Sequence, residues 1–124
     1  MHSVTKGTWL ILIAVLLMTY ANVAIKIRVT VLGGSDSESW LSYIRSMALD
    51  PLVWSAVIAA VATGLLYVIA LRQLELGVAQ PLFALVFVLV PLAAAFLLGE
   101  QLPPLRIAGL LLIFLGVVLV EQTA

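Results

Sequence analysis

Four long apolar stretches separated by short polar segments constrain this chain more than any other feature. They are residues 8–25 (TWLILIAVLLMTYANVAI), 52–71 (LVWSAVIAAVATGLLYVIAL), 77–98 (GVAQPLFALVFVLVPLAAAFLL) and 105–120 (LRIAGLLLIFLGVVLV). Each approaches the roughly 20 residues a helix needs to cross about 30 Å of hydrocarbon, the fourth being shortest. None carries the polar face that a helix on the outside of a soluble domain turns to water. Segments apolar on every side belong inside a large protein or against lipid, and 124 residues cannot supply the large protein. The composition agrees: 65% of residues are apolar and 10% charged, whereas a soluble domain has about half and about a quarter. The expected fold is all-α, a single four-helix membrane domain over residues 1–124 with almost no water-soluble part.

The connections fill in this outline. The first span is bounded by Lys6 and by Lys26 and Arg28. A cleavable signal peptide is the competing reading for it, but the run is long for a signal core and no small-x-small site precedes the charges. The loop 33–50 opens with the polar run Gly33-Gly34-Ser35-Asp36-Ser37-Glu38-Ser39. In residues 39–48 that follow, Trp40, Leu41, Ile44, Met47 and Ala48 share one helical face. They form either a short helix at the membrane surface or an extension of the second span. Asp50-Pro51 marks a helix start. Pro91 near the middle of the third span removes one backbone hydrogen bond and is expected to kink it. Short loops make successive helices antiparallel neighbours. Lys26, Arg28, Arg45 and Arg106 lie on one side of the membrane and Lys6 and Arg72 on the other, so positive-inside counting leans toward both termini outside.

Several function classes are excluded. The chain has no cysteine, so thiol chemistry and cysteine metal sites are absent. Its formal charge is zero, which argues against a nucleic-acid partner. There is no nucleophile–base pair, metal cluster or phosphate loop, so no catalytic residue, metal or cofactor is expected and the chain does not read as an enzyme.

The second half carries a specific pattern. Gly77-Val78-Ala79-Gln80-Pro81 at the start of the third span, Gly99-Glu100-Gln101 after it, and Gly109-Leu110-Leu111-Leu112-Ile113-Phe114-Leu115-Gly116-Val117 in the fourth occur in the order and spacing of a known frame. The chain resembles the drug/metabolite transporter superfamily, and within it the four-helix small multidrug resistance proteins. Lys26 at the edge of the first span matches as well. The resemblance covers nearly everything except the long first loop. It implies a dimer whose contact is made by Gly109, Ile113 and Gly116, two helical turns of one face where small residues let helices approach.

The departures from that frame redirect the function. The multidrug exporters carry a membrane-embedded glutamate eight residues before the boundary lysine, where this chain has Met18 between Leu17 and Thr19. Phe83 and Leu85 stand where a tryptophan and a glycine are usual. No Asp or Glu lies inside any of the four spans, and proton-coupled exchange needs such a group. A subgroup fits better: the chain is similar to the small subunits of the undecaprenyl-phosphate aminoarabinose flippase. They also lack the glutamate, and they have an amide four residues before the lysine (Asn22 here), an aromatic near Tyr67, and a small-aromatic-Pro opening to the third helix. In that opening this chain has Ala79-Gln80-Pro81, so Gln80 departs from the pattern.

That resemblance implies a ligand with a phosphate, a hydroxyl-rich sugar and a long prenyl tail. Lys26 is the candidate for phosphate at the interface, with Arg28 and Arg106 as further cations. Asn22, one turn from Lys26 on the same face, and Gln80, Tyr67, Tyr20 and Thr63 are candidates for the sugar. Each has a structural competitor. Lys26 can snorkel. Asn22 and Gln80 can bond a neighbouring helix, and Gln80 can cap its own. Thr63 can bond back to its own helix. The tyrosines can anchor at the interface. Glu100 reads as structural, pairing with Arg106. The leading expectation is a subunit of a bacterial inner-membrane flippase for a polyprenyl-phosphate-linked sugar or a similar amphipathic lipid, working as a homodimer or with a similar small membrane protein. The alternatives are a proton-coupled exporter of cationic compounds and a non-transporting subunit that scaffolds a glycosyltransferase.

Overall fold

The computed structural model describes residues 2–32 and 40–124. Its helices are α1 (His2–Leu32), α2 (Trp40–Ala48), α3 (Pro51–Ala70), α4 (Leu76–Phe83), α5 (Val86–Leu98) and α6 (Pro104–Glu121). No strand occurs among the described residues. Four segments are long and apolar enough to cross a membrane: α1, α3, α4 with α5, and α6. The glycine–serine run expected as a loop, residues 33–39, lies outside the described residues.

The helix ends follow local chemistry. α1 continues past Ile25 to Leu32, because charges alone do not stop a helix and the first breakers after Ile25 are Gly33-Gly34. Asp50 caps α3, its Oδ1 accepting the Leu52 N–H at 2.8 Å, with Pro51 preorganised at the first helical position. Gly99 ends α5 in the left-handed conformation (φ 70°), and the Glu100 N–H returns to the Ala94 carbonyl. α2 is a helix of its own, separated from α3 at Leu49-Asp50. The Trp54 Nε1–H donates to the Ala48 carbonyl at 2.6 Å and ties the two together.

The third span departs from expectation in where it breaks. α5 runs through Pro91, and the interruption falls at Ala84-Leu85. There Leu85, Phe87 and Val88 donate to the carbonyls of Leu82, Ala84 and Leu85, each three residues back. This is a tighter turn inserted in the ladder. It stands between two prolines, Pro81 and Pro91.

α1 and α3 form the closest pair. Ala21 and Ala24 meet Ala56 and Ala59 at their interface, and these small side chains let two backbones approach within a bilayer. At the other end Gly7 does the same: a Cβ there would sit 2.7 Å from Leu74 Cγ. The larger core joins Ile11 and Val15 of α1 to Ala70, Leu74, Val78, Leu82 and Val86. α6 is the outlier. It packs on α4 and α5, its one buried residue is Val117, and Leu105, Leu112 and Leu119 are 85%, 71% and 69% exposed.

Candidate functional site

The pairing of α1 with α3 sets the depth of every candidate. Gly7 meets Leu74, the Thr63 hydroxyl reaches the Ala14 carbonyl, Tyr20 meets Ser55, and Arg28 meets Asp50. These contacts define one end of the bundle holding Lys26 and Asp50 and another holding Gly7 and Leu74. Ala14 and Lys26 are twelve residues apart on one helix, so Thr63 lies about 18 Å from the lysine end along the axis.

At the lysine end, Lys26 is exposed and lines a groove of about 420 Å³ with Ile27, Thr30, Val31, Leu98 and Glu100. The other two candidate cations are engaged. Arg28 Nε lies 3.0 Å from Asp50 Oδ2, and Arg106 Nη1 donates to the Gln101 carbonyl at 3.1 Å. Glu100, expected to pair with Arg106, makes no ion pair among the described residues and shares the Lys26 groove instead.

One turn inward, Asn22 Nδ2 donates to the Met18 carbonyl at 2.8 Å. That bond holds the amide against its own helix. Its Oδ1 accepts nothing from the described residues. Tyr20 and Ser55 hydroxyls are 2.8 Å apart. Ser55 donates its single proton to the Leu52 carbonyl at 2.6 Å, so Tyr20 is the donor to Ser55. Thr63 is 4% exposed, and its hydroxyl is shared between the Ala59 carbonyl at 2.9 Å and the Ala14 carbonyl at 3.3 Å. It therefore links two helices and has no proton to spare.

The remaining candidates lie toward the other end. Tyr67 packs edge-on against Phe83, with ring centroids 5.8 Å apart at 68°. Its hydroxyl is buried with no partner among the described residues. Gln80 is exposed within α4. Thus Lys26, Arg28, Asn22 and Tyr20 come together at one end, while Tyr67 and Gln80 stand apart from them. Gly116 is exposed and Gly109 half-buried, and a Cβ at either meets nothing within 4 Å. Ile113, between them, packs on the main core.

Two features were not read from the sequence. The first is the shared groove of Lys26 and Glu100, which depends on how the end of α5 lies against α1; their opposite charges at the edges of two apolar stretches were the available signal. The second is an apolar groove of about 420 Å³ between α5 and α6, lined by residues including Leu85, Val88, Leu92, Ile107, Leu111 and Phe114. Leu85 and Phe114 also line a further groove that reaches Glu121 and Gln122 at the opposite end. The two grooves share these two residues, lie beside α6 and are lined mainly by apolar side chains.

No family model matches the chain, and no solved structure matches it. Curated relatives do. A Pseudomonas aeruginosa protein named "Probable 4-amino-4-deoxy-L-arabinose-phosphoundecaprenol flippase subunit ArnE" is 39% identical over 115 residues, 92% of this chain and 96% of the relative. A Pseudomonas fluorescens protein of the same name is 35% identical over 114 residues, with the same shares of both chains. One from Salmonella paratyphi B is 36% identical over 69 residues, 56% of this chain and 62% of the relative.

Proposed function

We propose a function from the family, because the chain belongs to the ArnE family of flippase subunits. It is a transport subunit of the bacterial inner membrane and not an enzyme. Its cargo is an undecaprenyl-phosphate-linked amino sugar of the kind its relatives are named for. The observation that carries this reading is the groove at the lysine end: it joins Lys26, which makes no ion pair among the described residues, to apolar walls at the edge of a four-helix bundle. A lipid phosphate needs a cation at the membrane boundary, and its tail needs an exit into hydrocarbon. Lys26 takes the phosphate in the groove, and Asn22, one turn deeper on the same face, then Tyr20 on the face toward α3, meet the sugar as it moves inward. The apolar grooves beside α6 shelter the first prenyl units. Gln80 and Tyr67 serve the sugar at the far end of its passage. The lysine end faces the cytoplasm by the positive-inside rule. Arg28 and Arg106 hold the local structure through Asp50 and Gln101.

The working unit is a dimer, with a second copy or a similar small subunit covering α6. The open face around Gly109 and Gly116 supports this. Native mass spectrometry from mild detergent tests both points at once. A dimer carrying retained polyprenyl phosphate is expected. Lys26→Gln weakens that retention roughly tenfold, the worth of one charge-assisted contact. Unchanged retention removes Lys26 from the phosphate role.

A further inference from the structure

We infer that Glu100 reads the amine of the ligand while Lys26 holds its phosphate, so that one groove recognises a zwitterionic headgroup. The inference rests on the flippase reading above and adds to it the group that sets sugar specificity.

Glu100, just past the end of α5, and Lys26, inside the last two turns of α1, line the same groove, yet no ion pair joins them. Opposite charges that share a groove without closing on each other leave each one available to a counter-charge between them. Among the described residues, the neighbouring charges are engaged elsewhere. Asp50 is taken by Arg28 and by the Leu52 N–H. Arg106 points to the Gln101 carbonyl. The backbone also holds Glu100 in place: it follows the left-handed Gly99, and its N–H is bonded to Ala94.

A sugar bearing an amine at one carbon and a phosphodiester-type link at another carries both charges, separated by the width of one ring. Lys26 alone would bind any polyprenyl phosphate. A carboxylate across the groove attracts the lipid whose sugar is a cation and repels a phosphate that arrives without one. The groove at the opposite end does not offer this pair. Glu121 lines it with a buried oxygen that lacks a partner, but no lysine or arginine lines it.

The test compares three lipids on purified protein in mild detergent by native mass spectrometry. They are a polyprenyl phosphate bearing the 4-amino pentose, its N-acetylated form, and polyprenyl phosphate alone. The wild-type chain is expected to prefer the free amine over the N-acetyl form by roughly fivefold, the scale of one partly exposed ion pair. Glu100→Gln removes the preference without weakening the N-acetyl lipid, and Glu100→Asp restores part of it. Lys26→Gln weakens all three lipids alike. Circular dichroism checks that each variant keeps its helices. If Glu100→Gln keeps the preference, or the wild type shows none while binding polyprenyl phosphate, the amine role is overturned and the flippase reading stands. If the wild type retains no polyprenyl phosphate, the flippase reading itself fails and takes this one with it.

Discussion

Single polar side chains here divide into those whose hydrogen bonds are closed and those left open. Thr63 is closed, its one proton divided between two carbonyls of adjacent helices. Tyr67 is open: its ring packs on Phe83, but its hydroxyl is buried without a partner among the described residues. A buried unpaired hydroxyl costs stability, on the order of 1–3 kcal/mol. Tyr67→Phe is therefore expected to leave folding unharmed or raise stability by about 1 kcal/mol, read by denaturant unfolding in micelles. The same change should lower retention of the sugar-bearing lipid relative to bare polyprenyl phosphate. A clear loss of stability would mean that the hydroxyl has a structural partner after all. The sequence showed which residues were polar and how deep they lay. It did not show which were already satisfied, because that depends on carbonyls of another helix.

Among the helices, α6 stands out. Only Val117 is buried, whereas α1 is closely packed along much of its length. A helix that covers so little of its own bundle is stable in lipid, since every backbone group is satisfied within it. It is also free to receive another chain. Gly116 is exposed and meets nothing within 4 Å, so Gly116→Leu should not disturb the monomer and should favour the helix by up to about 1 kcal/mol. On native mass spectrometry the variant is expected to run as a monomer, and the unaltered chain as the proposed dimer. A dimer that survives would move the contact to another face. The break at Ala84-Leu85 is an element-scale feature of the same kind. Prolines at 81 and 91 announced an irregular third span, but its position depends on which carbonyls capture donors three residues away.

For the molecule as a whole, the inventory of charge across the bilayer matters most. The four spans carry no Asp or Glu apart from Glu121 at the last residue of α6. Coupling to protons requires an acid that trades its proton for cargo within the membrane. Liposomes holding the purified chain should therefore take up a quaternary ammonium dye no faster under a pH gradient than empty ones. Gradient-driven uptake would revive the drug-exporter reading. Movement of a lipid-linked sugar needs no such acid, only stations for its headgroup and a path for its tail. The proposed stations are the polar groups at the two ends of the bundle, and the proposed path is the apolar grooves beside α6.

The sequence by itself determined the class of fold, because stretches of about 20 apolar residues have one stable solution in a bilayer, the helix. It also determined the absence of Asp and Glu from the span interiors and the place of Lys26 as the first charge after the apolar run, since both are matters of residue type and order. Helix limits were less legible: α1 runs on to Leu32 because no glycine or proline stops it sooner. Only the tertiary structure decided the pairing of charges. Arg28 closes on Asp50, Arg106 turns to Gln101, and Lys26 and Glu100 are left sharing a groove. These partners sit far apart along the chain or on loops, and their distances arise from how α1 packs against α3 and α5. Packing across the bundle sets those distances, and hydropathy along the chain carries no record of them.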